Sequence, residues 1–212
     1  MRKIQKMCAA LLAGVMTVGT FAPSVFADEA AKELTDEQGI NVRTTAFGNN
    51  YDVQDMGWRW MMAACYEGLY RDVADENGDE FILAGAESVD ISDDGTVYTY
   101  HLREDAKWSD GVPVTAHDYE YGWKRLLNPD YAYDYASFIY NVVGAEEYNS
   151  GEGSADDVMA VAVDDYTFEV TLKVAAPTFE SKLVATPLYP TREDLAEAAG
   201  DNWGKDWTLC VY

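Results

Sequence analysis

Apolar and polar positions alternate with a period of two in two blocks of the chain, and each pair of blocks is joined by turn-forming residues. Ala86 to Ile91 is followed by Ser92-Asp93-Asp94-Gly95 and then by Thr96-Val97-Tyr98-Thr99-Tyr100-His101-Leu102, which predicts a β-hairpin. Residues 160–163, the pair Asp164-Asp165 and residues 166–172 repeat the pattern. Phe168, Val170 and Leu172 then share one face of the second strand. Between the hairpins the spacing becomes helical. Thr115 stands three residues before Asp118, as in a capping box, and Tyr119, Trp123 and Leu126 fall on one side before Asn128-Pro129 ends the run. That arrangement puts Trp123 in the core.

Further helices are predicted over residues 58–69, over residues 135–148 up to Gly151-Glu152-Gly153-Ser154, and from Thr191, with Asp194 three residues on, to Gly200. No internal repeat or low-complexity linker interrupts this mixture of strands and helices, so the fold class is α/β. The last residues, Thr208-Leu209-Cys210-Val211-Tyr212, form an apolar, β-prone run with no turn after it, which reads as an unfinished strand in a truncated chain.

The amino terminus has another character. Arg2, Lys3 and Lys6 precede an apolar stretch from residue 7 to residue 18, and Val25 and Ala27 occupy the positions that a signal peptidase reads. Residues 1–27 are therefore expected to be a signal peptide cleaved after Ala27, with an extracytoplasmic mature chain, periplasmic, secreted or at the cell surface. The apolar run is shorter than the roughly 20 residues that cross a bilayer. Cys8 precedes most of that run rather than following it, which argues against a lipid anchor. Removing the leader leaves 12 basic against 38 acidic residues, a net charge of −26 compared with −23 for the whole chain. Such a surface repels nucleic acid and anionic membranes.

Candidate chemistry is sparse. Cys65 and Cys210 are distant in sequence and show no metal-like spacing, and their pairing is left open. Asp90-x-Ser92-x-Asp94-Gly95 matches the first half of a calcium loop, but His101 stands where the twelfth position needs a bidentate carboxylate. His101 and His117 belong to no zinc motif, and no nucleophile elbow is present. The reading is a non-enzymatic protein with no cofactor and no metal site. Six Trp and 15 Tyr suit a binding protein, since aromatic rings are rigid surfaces able to grip varied ligands.

The stretch Tyr98-Thr99-Tyr100-His101-Leu102-Arg103, followed by Ala106-Lys107-Trp108-Ser109-Asp110-Gly111-Val112-Pro113-Val114-Thr115-Ala116 and Asp118, closely resembles the signature of the family 5 extracellular solute-binding proteins. These are the oligopeptide- and dipeptide-binding components of peptide and nickel ABC importers. Tyr66-Glu67-Gly68-Leu69, Trp123-Lys124-Arg125 with Asn128-Pro129, Tyr135-Ala136-Ser137 and residues 164–172 continue the match in order.

The resemblance implies part of a two-lobed, type II periplasmic-binding-protein-like fold: the first lobe with its inserted subdomain, the second lobe being absent. On that scheme residues 28–66 begin the main lobe, residues 67–185 form the insert, and residues 186–212 return to the main lobe. It also implies an extended oligopeptide ligand paired through its backbone. Asp55, Met56 and Gly57 are placed against that ligand and Tyr135 faces the cleft, whereas Trp108 is a structural plug. The implied partners are the permease and ATPase subunits of an importer, and the protein is expected to be a monomer.

Three rival readings remain at this level. One keeps the family but changes the ligand to a nickel chelate, haem, an opine or an oligosaccharide, for which Trp58 and Trp60 would suit sugar stacking. Another is a secreted glycoside hydrolase built on paired carboxylates. A third possibility is a truncated relic without function.

Overall fold

The computed structural model describes residues 50–55, 59–75 and 78–205. The expected leader, Met56, Gly57, Trp58, Cys210 and the apolar run 208–212 lie outside the described residues. So does the side chain of Trp60.

Helix α1 (Arg59–Cys65) is followed by the strands β1 (Tyr70–Asp75), β2 (Gly78–Leu83), β3 (Ala86–Ile91) and β4 (Val97–Leu102). Helix α2 (Ala116–Leu127) and the short helix α3 (Ala145–Asn149) lead to β5 (Ala160–Asp164) and β6 (Thr167–Thr171). Helices α4 (Phe179–Lys182) and α5 (Glu193–Ala199) follow, with 3-10 turns between several elements and a last one, Gly200–Asn202, after α5. The strands make a two-stranded ribbon, β1-β2, and an antiparallel sheet in the order β3-β4-β6-β5. Both predicted hairpins are present, and their second strands, β4 and β6, pair with each other in the middle of the sheet.

Alternation explains what the sheet buries. Tyr98, Tyr100 and Leu102 on β4 and Phe168, Val170 and Leu172 on and after β6 all point inward and are buried. Helix α2 covers them with Tyr119, Trp123, Leu126 and Leu127. Trp123 is fully buried, meets Phe168 edge-on with ring centroids 5.1 Å apart, and donates from Nε1 to the Leu188 carbonyl at 2.9 Å. The indole thus contributes apolar area without stranding its N–H.

At the start of α2, Asp118 Oδ2 accepts from the backbone N–H of Thr115 at 2.8 Å and from Trp108 Nε1 at 3.3 Å. The capping box therefore also anchors Trp108, which is buried as a plug against Tyr66. Burial raises the Asp118 pKa in spite of these hydrogen bonds, which pull it down.

Three sequence expectations change. Residues 135–148 are not one helix but a 3-10 turn, Ala136–Ile139, and then α3. Gly144 separates the two in the left-handed region (φ 79°), where a Cβ would collide with the Asp157 carbonyl. The helix expected over 58–69 ends at Cys65, ahead of Gly68, whose lack of a side chain lets the Tyr189 ring lie against it. Helix α5 starts at Glu193 rather than Thr191, whose hydroxyl is engaged by Gln54 instead.

The β1-β2 ribbon, in which Asp75 pairs with Gly78, has no counterpart among the sequence expectations. The Ser92-to-Gly95 segment is a turn. Asp94 Oδ1 accepts from Ser92 Oγ, the Thr96 backbone and Thr96 Oγ1, and His101 turns back to Asp90 at 3.0 Å. Cys65 is an exposed free thiol.

Candidate functional site

The segment expected to face a ligand opens on a 3-10 turn, Val53–Asp55, that is pinned from several sides. Asn50 Oδ1 accepts from the Asp52 N–H at 3.0 Å, and the Asp55 N–H donates to the Asp52 carbonyl at 3.1 Å. The Tyr51 N–H reaches the carbonyl of Gly204, which has φ 74° and a backbone so close to Asn50 and Asp52 that a side chain would not fit. The turn also buries two polar side chains, Asp52 and Gln54.

Their partners come from helix α2, from the turn after it and from Thr191, just ahead of α5. Arg125 is 7% exposed, and its Nη1 donates to Asp52 Oδ1 and Oδ2 at 2.9 and 2.8 Å and to Gln54 Oε1 at 3.0 Å. Tyr133 donates its hydroxyl to Asp52 Oδ2 at 2.6 Å. Gln54 Nε2 donates to Thr191 Oγ1 at 2.9 Å. Gly122 lets this happen: it brings α2 so close to the backbone at Tyr189 that a Cβ would meet the Tyr189 carbonyl at 2.9 Å.

Two tyrosine rings complete the cluster, with the Arg125 guanidinium 4.7 Å from the centre of Tyr131 and 5.3 Å from that of Tyr133. Burial works against the Arg125 charge, but Asp52 and Tyr133 outweigh it, and the Arg125 pKa is raised. Burial, reinforced by the Asp52 charge, also raises the Tyr133 pKa, so the phenol remains a donor.

The predicted site residues sit around this cluster rather than in it. Asp55 is exposed at the end of the turn and contacts Asn50. Tyr135 is half-buried, meets Phe138 edge-on at 5.1 Å, and precedes the Ala136–Ile139 turn. Among the described residues Asp55 and Tyr135 share no hydrogen bond or ring contact. Their segments do meet, through Asp52 and Tyr133.

Sequence reasoning missed Asp52, Gln54, Arg125 and Tyr133. The available signal was Arg125 itself, a charge on the otherwise apolar side of a helix that needs a buried counter-ion. A cavity of about 390 Å³ opens beside Arg125 and Tyr131, lined also by Tyr121, Tyr148 and Glu197. Neither Asp55 nor Tyr135 lines it. No group of three or more His, Cys, Asp or Glu is placed to hold a metal ion among the described residues. The carboxylate, amide and phenol of the cluster are paired with one another or with Arg125 Nη1, whereas the buried Arg125 Nε has no hydrogen-bond partner among the described residues.

Residues 80–209 match the model of the bacterial extracellular solute-binding proteins, family 5 Middle. The chain belongs to this family of solute-binding proteins, which are not enzymes. It is 44% identical over 112 residues to the periplasmic oligopeptide-binding protein OppA of Salmonella typhimurium, an alignment covering 52% of this chain and 21% of that protein. To the oligopeptide-binding protein OppA of Bacillus subtilis it is 37% identical over 159 residues, covering 74% of this chain and 29% of the relative.

Among solved structures, Listeria monocytogenes OppA bound to peptide superposes with a TM-score of 0.76 at 32% identity, over 84% of this chain and 35% of that one. The chain thus spans between a fifth and about a third of the length of these relatives. Its mixed α/β fold is that of part of an OppA-type periplasmic binding protein, as the sequence motifs implied.

Proposed function

We propose that this chain forms first-lobe structure of a substrate-binding protein that captures extracellular oligopeptides for an ABC importer. The observation that carries the reading is the match of residues 80–209 to the family 5 model, together with relatives whose names specify oligopeptides. Residues 28–66 and 186–212 belong to the main lobe, and residues 67–185 form its inserted subdomain. The extended peptide lies against Asp55, Met56 and Gly57, with Tyr135 presenting its ring to the same cleft. Backbone pairing provides affinity and leaves side chains in wet pockets, so selectivity for peptide sequence is low.

A leader cut after Ala27 delivers the protein outside the cytoplasm, where it acts as a monomer. There it passes its peptide to the permease, and the ATPase subunits drive import. It performs no catalysis and carries no cofactor.

Native mass spectrometry of the protein purified from its own cells tests this. The expected spectrum carries added masses of a heterogeneous set of short peptides, which disappear on unfolding. A single defined adduct with the mass of a haem, a sugar or a metal chelate would replace the peptide reading with that ligand.

A further inference from the structure

We propose that Asp52, Arg125 and Tyr133 form a clamp that positions the ligand-facing segments. They fix residues 52–55 against residues 131–135, so that Asp55 and Tyr135 keep a set separation. This rests on the peptide-binding reading for the ligand, whereas the clamp itself rests on geometry.

One carboxylate joins the two segments. Asp52 Oδ2 accepts from Tyr133 Oη at 2.6 Å and from Arg125 Nη1 at 2.8 Å. Asp52 then holds the Asp55 amide through its carbonyl at 3.1 Å. On the other side, the carbonyls of Tyr133 and Tyr135 accept from the amides of Ala136 and Phe138 at 3.3 and 3.0 Å. A shift of Tyr133 is therefore transmitted to the backbone on which Tyr135 stands.

Ala132 lies between the two rings that cover Arg125, with φ 49°. A non-glycine residue in the left-handed region is strained and persists only where its surroundings over-determine it. The stacked Arg125 guanidinium is that surrounding.

Geometry is also what such a cluster supplies best. A buried ion pair contributes little net stability compared with apolar residues of the same volume, because both charges lose their hydration. Here the ion pair and the Tyr133 phenol join three separate stretches of chain. In the lobe division proposed above, Asp52 lies in the main lobe, whereas Arg125 and Tyr133 lie in the insert. The clamp sits on their seam.

The test compares Tyr133→Phe and Asp52→Asn with Val170→Ala, a core substitution in β6 outside the cluster, on the intact protein. Amide hydrogen exchange and calorimetry with trialanine are the readouts. In Tyr133→Phe, exchange at Ala136 and Phe138 is expected to accelerate and the Kd for trialanine to rise, each by about tenfold, the worth of one hydrogen bond to a charged group. Asp52→Asn should extend the faster exchange to Asp55. Val170→Ala should lower the melting temperature and leave the Kd as it is.

Unchanged exchange and Kd in Tyr133→Phe, or an equal loss of affinity in Val170→Ala, would overturn the clamp. If the wild-type protein binds no trialanine, the ligand reading is what fails, and exchange alone decides. Acceleration at Ala136 and Phe138 then sustains the clamp, and wild-type rates refute it.

Discussion

Removing the Asp52 carboxylate leaves the Arg125 guanidinium buried against Gln54 and two tyrosine rings with no counter-charge. Asp52→Ala should therefore cost about 3 to 5 kcal/mol in urea denaturation, as for other broken buried pairs. Replacing both partners at once, Asp52→Leu with Arg125→Met, should restore much of that loss. A double variant no better than Asp52→Ala would contradict the account.

Glycines provide a second contrast. Gly144 and Gly111 both have positive φ, but a Cβ at Gly144 meets the Asp157 carbonyl whereas one at Gly111 meets open space. Gly111→Ala should cost about 1 to 2 kcal/mol from backbone strain alone, and Gly144→Ala distinctly more, measured by the same titration. At this scale the sequence discloses what its immediate neighbours decide. Trp123 as core and Trp108 as a plug follow from local spacing. Asp52 and Arg125 meet across 73 positions, and nothing near either residue announces the other.

Elements are legible where one periodicity dominates. Both hairpins of the sheet and helix α2 are visible in the alternation and in the Thr115-Asp118 cap, because burial on one face imposes a period. Residues 135–148 fail for the opposite reason. Their apolar positions serve a 3-10 turn, a β-bridge from Val142 to Leu172 and a short helix in succession, so no single period describes them. The cap and the hairpin turn carry carboxylates with opposite pH signatures.

In the hairpin turn, hydrogen bonds from Ser92 and Thr96 lower the Asp94 pKa from its ordinary 3.8. Its contribution is present above that value and is lost as pH falls through the lowered one. The stability difference between wild type and Asp94→Ala should therefore shrink between about pH 7 and about pH 2. Burial instead raises the Asp118 pKa above 3.8. Its contribution is full below that value and is lost as pH rises through the raised one, so the difference between wild type and Asp118→Ala should grow over the same descent. Urea midpoints across this range check both signs, and a shared sign would contradict the assignment.

At the scale of the whole molecule, a net charge of −23 repels itself more in the compact state than in the unfolded chain. Screening should relieve this, so the melting temperature is expected to rise between about 10 mM and about 150 mM sodium chloride, where the Debye length falls from about 30 to about 8 Å. A melting temperature that falls with salt would mean that attractive pairs outweigh the repulsion.

Family membership was legible at this scale, since many ordered motifs agree and residues 80–209 match the family model. The ligand was not, because motifs such as Trp108-Ser109-Asp110-Gly111 encode a plug and a turn and so mark the fold rather than the solute. Peptide capture is tested most directly by calorimetry of the intact protein against tri-, tetra- and pentapeptides of unrelated sequence. Binding heats are expected for peptides of every sequence tried, with dissociation constants lying close together. No heat from any peptide, with heat from an oligosaccharide or a nickel chelate, would contradict it.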